Sequence, residues 1–280
     1  MHFPLVSTVS GAPWLLGHLP NVVAELDISS PDSIKESSRS LAEDLMTFYK
    51  GDEYGETPGL LPWSSDDNDN YWWYLGGSFF AIYLDYWHLT GDDTYAAPVR
   101  KALQFQPGTN SNYMPDNQIA TLINDDQCFW GTVALLAAKY GFPEVEGKPK
   151  WINLAENVWR TQAAPDHYDY VCNGGLRWQF LSWNTGYEWK NTGSNACFFN
   201  QGARLTRFTG NMTSSEYSDR KWEWLTGVGF VDTPSNWKVY EGARVETNCT
   251  KISNHQWSYT PAMLIQGASF RYNNTNDSDI

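Results

Sequence analysis

Asn124-Asp125-Asp126-Gln127-Cys128-Phe129-Trp130-Gly131-Thr132-Val133-Ala134-Leu135-Leu136-Ala137 is the stretch that sets the fold class. Two acids lead an apolar run in which Phe129, Trp130, Val133, Ala134, Leu136 and Ala137 recur at three- and four-residue spacings, as on the buried face of a helix. Asn124 reads as the cap of that helix, with Gln127, three residues on, closing a capping box. Read this way alone, the acids need no chemical role, because the macrodipole favours carboxylates in a first helical turn.

The same texture extends in both directions. Toward the N-terminus, Ser30 before Pro31 and Asp32 signals a helix start; Ile34, Leu41, Leu45, Met46 and Phe48 share a face, and Gly51 ends the segment. Further helices are expected over residues 71–90, 93–106, 125–140, 150–164, 194–210, 214–227 and 256–272, each bounded by Gly, Pro or Asn. No Val/Ile-rich alternation calls for a sheet, so the class is all-α, with about eight helices. Residues 25–280 read as one domain. Its long polar or aromatic connectors, 51–70, 107–123, 165–192 and 228–255, are where a helical scaffold carries a site.

A formal charge of −13 weighs against nucleic acid and anionic membranes as partners. The 15 Trp, 16 Tyr and 13 Phe supply a large core and also suit a sugar, whose C–H face stacks on an aromatic ring. Cys128, Cys172, Cys197 and Cys249 lack metal-ligand spacing, and no histidine pair completes one, so disulfides are expected and no metal or cofactor is implied. Asn-x-Ser/Thr triplets at Asn211, Asn248, Asn273 and Asn276 also fit a secreted glycoprotein. Residues 1–24, ending Val22-Val23-Ala24, resemble a signal peptide, although no Lys or Arg precedes the apolar stretch. No later stretch is long enough to span a bilayer.

Asp125 and Asp126 gain chemical meaning from their surroundings. Trp72, Trp73 and Trp130 offer a sugar platform and a dry wall beside two charges. Neighbouring carboxylates in such a setting do not both ionise freely, so one stays anionic while the other keeps its proton. That is the pairing of nucleophile and general acid used in retaining glycoside hydrolysis, at a separation of about 5–5.5 Å.

Many further segments resemble glycoside hydrolase family 76, in its fungal cell-wall branch of endo-α-1,6-mannanases. They include Thr57-Pro58-Gly59-Leu60-Leu61, Tyr71-Trp72-Trp73, Asp85-Tyr86-Trp87, Tyr113-Met114-Pro115 and the Asn124–Gly131 block. Beyond these come Cys172-Asn173-Gly174-Gly175-Leu176-Arg177-Trp178-Gln179, Ser194-Asn195, Cys197-Phe198-Phe199-Asn200, Tyr240-Glu241-Gly242 and Trp257-Ser258-Tyr259. The resemblance implies an (α/α)6 barrel, a retaining mechanism on α-1,6-linked mannose with Asp125 as nucleophile and Asp126 as acid/base, and action at the cell wall or cell surface. It also implies hydrolysis or transfer on mannan or on the mannose core of glycolipid anchors. Such a barrel has twelve helices against about eight read here, which implies that its last third lies outside this sequence; no hydrophobic anchor tail is seen. Tyr74 and Thr260-Pro261 depart from the family pattern. These departures leave a non-catalytic mannan-binding or wall protein on the same fold as the alternative.

By the same resemblance Cys128 stands at a position usually held by Ala and reads as a small buried thiol, leaving Cys172, Cys197 and Cys249 for one bridge. The loop of Gly174 and Gly175 places Arg177 and Trp178 near the cleft, and Asn184, Tyr187, Lys190 and Asn191 in the same connector are candidates to bond sugar hydroxyls. Gln127 and Tyr259 complete the candidate contacts.

Overall fold

From Thr192 to Thr206, fifteen consecutive residues are buried, so this segment is enclosed by protein on every side rather than along one stripe. It belongs to the central helix of the fold. The computed structural model describes residues 27–62, 72–233 and 236–275, and two compact units divide the chain after Met46. The leader-like segment 1–24, Tyr71 and Asn276 lie outside the described residues.

The first unit contributes α1 (Pro31–Met46). Ser30 and Ser33 cap it reciprocally: each backbone N–H donates to the other's Oγ at 3.1 Å. The helix ends at Met46, short of the expected Gly51.

The second unit holds α2 (Tyr74–Thr90), α3 (Ala96–Phe105), α4 (Asn124–Tyr140), α5 (Trp151–Ala163), α6 (Thr192–Thr209), α7 (Met212–Gly227) and α8 (Tyr259–Thr275). All seven expected spans are occupied to within a few residues. Gly91, Gly141 and Gly210 end α2, α4 and α6 in the left-handed conformation, which explains why glycine marked those boundaries so well. α6 packs against α8, α7, α4 and α5, and α4 packs in turn against α5 and α2. Small residues along the hub, Gly193, Ser194, Ala196, Gly202 and Ala203, let its neighbours approach closely.

Five short strands were not expected. β1 (Trp189–Asn191), β4 (Gly242–Arg244) and β5 (Ile252–Ser253) form one antiparallel sheet, while β2 (Val231–Asp232) and β3 (Lys238–Val239) form a second. At two or three residues each they are too short to display a period-two pattern. The sheet nonetheless matters, because Asn191↔Gly242 and Gly242↔Ser253 draw the connectors 165–192 and 228–255 together at the start of α6.

The cysteines correct the sequence reading. Cys128 is bonded to Cys197, and Cys172 to Cys249, so all four are paired. The first bond joins α4 to α6 and the second joins two loops, pairings set by which elements pack together. They span 69 and 77 residues, and on the chain-entropy account each removes roughly 4 kcal/mol of freedom from the unfolded chain.

Candidate active site

The cap of α4 also differs from the expected capping box. Ile123, extended, precedes the helix with no side-chain cap. An antiparallel bridge between Ile123 and Gln179 brings the 176–179 segment alongside, and the backbone N–H of Asn124 donates to the carbonyl of Trp178 at 3.0 Å. The Asn124 amide donates to the carbonyl of Arg177 at 2.9 Å, and the fully buried Gln127 amide donates to the carbonyl of Asn112 at 2.9 Å. Tertiary partners have taken the roles that a local capping box would have filled.

This arrangement buries Asp125 and Asp126 at the N-terminus of α4, where only 8% and 6% of their surface is exposed. Asp125 is well supported. Asn191 Nδ2 donates to its Oδ2 at 3.0 Å, and the Ser194 hydroxyl donates to its Oδ1. Asp126 makes no side-chain hydrogen bond among the described residues. Burial makes both carboxyls weaker acids. The Asp125 carboxyl is pushed up to about 6, with Ser194 and Asn191 opposing the rise; Asp126 is pushed up to about 8 by burial and by the charge of Asp125.

Asp125 opens onto a cleft of about 760 Å³. Its walls include Tyr74, Trp178, Trp189, Trp257 and Tyr259, with Glu188, Asn191, Glu241, Arg244 and His255 among the polar groups. Gly193 is required here: a Cβ added to it would come within 2.6 Å of both Asp125 Oδ2 and the Tyr259 hydroxyl. At the polar edge, Arg244 pairs with Glu188 at 2.9 Å, and His255 Nδ1 lies 3.2 Å from Glu241 Oε2. The cleft therefore offers aromatic faces, the Asn191 amide and carboxylates beside Asp125, a combination suited to a neutral sugar, while Asp126, its neighbour on α4, is not part of this lining.

The candidate contacts divide sharply. Asn191, Trp178 and Tyr259 line the cleft. Trp72 is half exposed but is not part of this lining. Trp73 and Trp130 are buried in an aromatic stack: their rings lie 5.3 Å apart, and Tyr113 sits 5.4 Å from Trp130 on the next contact. They back the helix rather than present a face to the cleft. Gln127 is likewise interior.

Lys190 is fully buried, where its Nζ donates to Asp169 at 2.6 Å and to the carbonyls of Val171 and Gly174. Arg177 pairs with the same Asp169 at 2.6 Å and stacks on Tyr187 at 4.4 Å, and Asn184 is held by the Ala120 carbonyl. These four therefore shape the loop around the site. Desolvated polar groups need partners, and in this loop the chain itself supplies them.

Sequence reasoning passed over Ser194, Gly193, Trp189, Glu188, Glu241, Arg244, His255 and Trp257 as site residues. Several stand inside the matching blocks, and 228–255 is one of the connectors expected to carry a site, but its approach to α4 depends on the small sheet. Thr260, flagged as a departure, is buried and donates from Oγ1 to the Trp257 carbonyl at 3.0 Å, while Pro261 falls in the first turn of α8, where proline is tolerated.

The sequence profile described as Glycosyl hydrolase family 76 matches residues 33–279. Mannan endo-1,6-alpha-mannosidase DCW1 of Saccharomyces cerevisiae is 38% identical over 252 residues, and its namesake in Eremothecium gossypii is 40% identical over 255; each alignment covers 90% of this chain and 55% of the relative. The chain thus spans about half the length of these curated relatives. Among solved structures, Dfg5 from Chaetomium thermophilum in complex with glucosamine superposes with a TM-score of 0.87 at 47% identity, covering 90% of this chain and 62% of that one. The GH76A alpha-1,6-mannanase from Salegentibacter sp. HEL1_6, at 18% identity and a TM-score of 0.68, covers 87% of this chain and 65% of its own, and shows the shared α/α-barrel fold. On the extent of the profile match and these identities, the chain belongs to glycosyl hydrolase family 76.

Proposed function

We propose that this chain carries the catalytic acids of a retaining, endo-acting hydrolase or transglycosylase on α-1,6-linked mannose, working in the cell wall or at the cell surface. The observation that carries the reading is the asymmetry of the buried pair. Asp125 accepts two hydrogen bonds and is the more acidic, so it takes the role of nucleophile; Asp126, unsupported and pushed up to about 8, keeps its proton and takes that of general acid. The relatives' printed names, mannan endo-1,6-alpha-mannosidase, supply the substrate class.

In the first step the carboxylate of Asp125 attacks the anomeric carbon as the bond to the leaving oxygen breaks, and Asp126 gives its proton to that oxygen. In the second, ionised Asp126 takes a proton from the incoming water or sugar hydroxyl, which displaces Asp125 from the glycosyl intermediate. Asn191 and Ser194 hold Asp125 anionic and aimed for the first step and stabilise the carboxylate again as the second step releases it. Trp178, Trp189, Trp257 and Tyr259 supply sugar-stacking surface. The mannose core of a glycolipid anchor is a substrate of this same chemistry, and a second sugar as acceptor makes the reaction a transfer.

The test is mass analysis of products formed from an α-1,6-linked mannan oligosaccharide in oxygen-18 water. Label in shortened products supports hydrolysis, and lengthened products support transfer. An unchanged substrate at high protein concentration contradicts the reading.

A further inference from the structure

A second cavity of about 310 Å³ opens between α7 and the 163–175 segment, and none of its lining residues lines the cleft at Asp125. Aromatic rings of Tyr168, Tyr217 and Trp224 form much of its wall, and Lys221 and Arg220 stand among its polar groups. No lining residue is acidic, in a chain whose net charge is −13.

Neither cation is paired with a carboxylate among the described residues. Lys221 is only 4% exposed, and its ammonium donates to the amide oxygen of Asn195 at 3.0 Å. Around it lie rings rather than carboxylates, with Tyr168 at 4.8 Å and Trp224 at 5.4 Å from Nζ to ring centre. Burial, helped by Lys190, draws its pKa down to about 7, which reflects the missing counter-charge. Arg220 lies over the Tyr217 ring at 4.2 Å and forms no ion pair among the described residues. The Tyr168 hydroxyl is buried without a hydrogen-bond partner among the described residues, and Arg220 is close enough to influence it.

We infer that this cavity is a second ligand site that takes a monosaccharide-sized anion, a sugar carrying a phosphate or carboxylate. The anionic group sits between Arg220, Lys221 and the Tyr168 hydroxyl and satisfies all three, while the ring lies against Trp224 and Tyr217. An anion meets the uncompensated charge, and the aromatic wall selects a ligand with an apolar face over a bare ion. At about 310 Å³ the cavity stands at the small end of ligand pockets, which fits one ring rather than an oligosaccharide.

Isothermal titration of the full chain with glucose 6-phosphate, glucuronate, inorganic phosphate and neutral mannose tests the assignment. The expected result is saturable binding of either or both anionic sugars, with a Kd below about 1 mM. Inorganic phosphate binds at least about tenfold more weakly, and Arg220→Gln and Tyr168→Phe each cost about tenfold or more in affinity at unaltered melting temperature. Binding persists in Asp125→Asn, which separates this site from the cleft; glucose 6-phosphate against glucuronate tells which anion is preferred. Lack of saturation by any anionic sugar at about 10 mM overturns the proposal, as does equal affinity for inorganic phosphate. Affinity lost in Asp125→Asn and kept in Arg220→Gln also overturns it by placing the ligand in the cleft.

Discussion

Asn191 holds Asp125 through a 3.0 Å hydrogen bond, and it does so from the junction of β1 and α6, the point at which the small sheet meets the central helix. Its Oδ1 meanwhile accepts from the backbone of Ser194, whose hydroxyl also donates to Asp125. One residue thus caps α6 and sets the charge of the carboxylate facing it. Removing the amide in Asn191→Ala strips one anion-stabilising bond, worth about 1.5–3 kcal/mol when one partner is charged. The acidic limb of kcat/KM moves to higher pH by roughly one to two units, and through ionisation alone the rate at pH 7 falls about 2- to 10-fold. A pH–rate profile checks this.

The proposed roles require Asp125 ionised and Asp126 protonated, which places the expected optimum between the values near 6 and near 8, at about pH 7. Stability follows a different course. Each carboxyl titrates higher in the folded chain than in the unfolded one, so the folded state holds more protons from about pH 4 to about pH 8. Stability therefore falls as pH rises through that window. Asp126→Asn removes one of the two sources. It should flatten the decline in melting temperature and raise stability at pH 8 by about 1–3 kcal/mol while abolishing turnover of mannan.

Gly193→Ala drives a methyl group against Asp125 Oδ2 and the Tyr259 hydroxyl, each 2.6 Å from the new atom. Either the carboxylate or the phenol has to move, and a small misplacement of a nucleophile is costly. The expected result is a loss of kcat of about 100-fold with a stability cost of about 1–3 kcal/mol, read from steady-state kinetics beside thermal melts.

Asp169 ties together the fully buried Lys190 and the mostly buried Arg177. Asp169→Asn leaves Lys190 without its counter-charge in the interior and should cost about 3–5 kcal/mol. Arg177→Gln spares that pair. Its expected effect on KM is less than about twofold, because the guanidinium is spent on Asp169, Tyr187 and the loop. Melting curves and KM values distinguish this structural role from sugar contact.

Cys128 lies two residues beyond Asp126, and its partner Cys197 lies three beyond Ser194, so this disulfide fastens the two helices that hold the pair together. Replacing both cysteines with alanine should lower stability by roughly 4 kcal/mol. Turnover in the surviving folded fraction should also fall, measured at a temperature below the shifted melt.

Helices were legible because each carries its own evidence: the apolar periodicity of Phe129 to Ala137, and the glycines at 91, 141 and 210 that stop three of them. The acidic pair was legible for the same reason. The surroundings of that pair were not. Trp73 and Trp130 looked like a sugar face, but burial is decided by what packs on them, here Tyr113 and each other. Lys190 and Arg177 looked like ligand contacts until Asp169 claimed both. Conversely, Trp257 and Glu241 reach the cleft through strands of two or three residues, and such pairings leave little trace in a linear pattern. Cysteine pairing was hidden likewise, since 69 and 77 residues separate the partners.

The central claim is that Asp125 forms a covalent glycosyl intermediate while Asp126 handles the proton. The most direct measurement uses Asp126→Ala with an α-linked mannobiosyl fluoride, whose leaving group needs no acid, followed by intact-mass and peptide analysis. The account predicts a mannobiosyl adduct on the peptide containing position 125, absent when Asp125→Ala is added. An adduct on another residue, or turnover that survives Asp125→Asn, would contradict it.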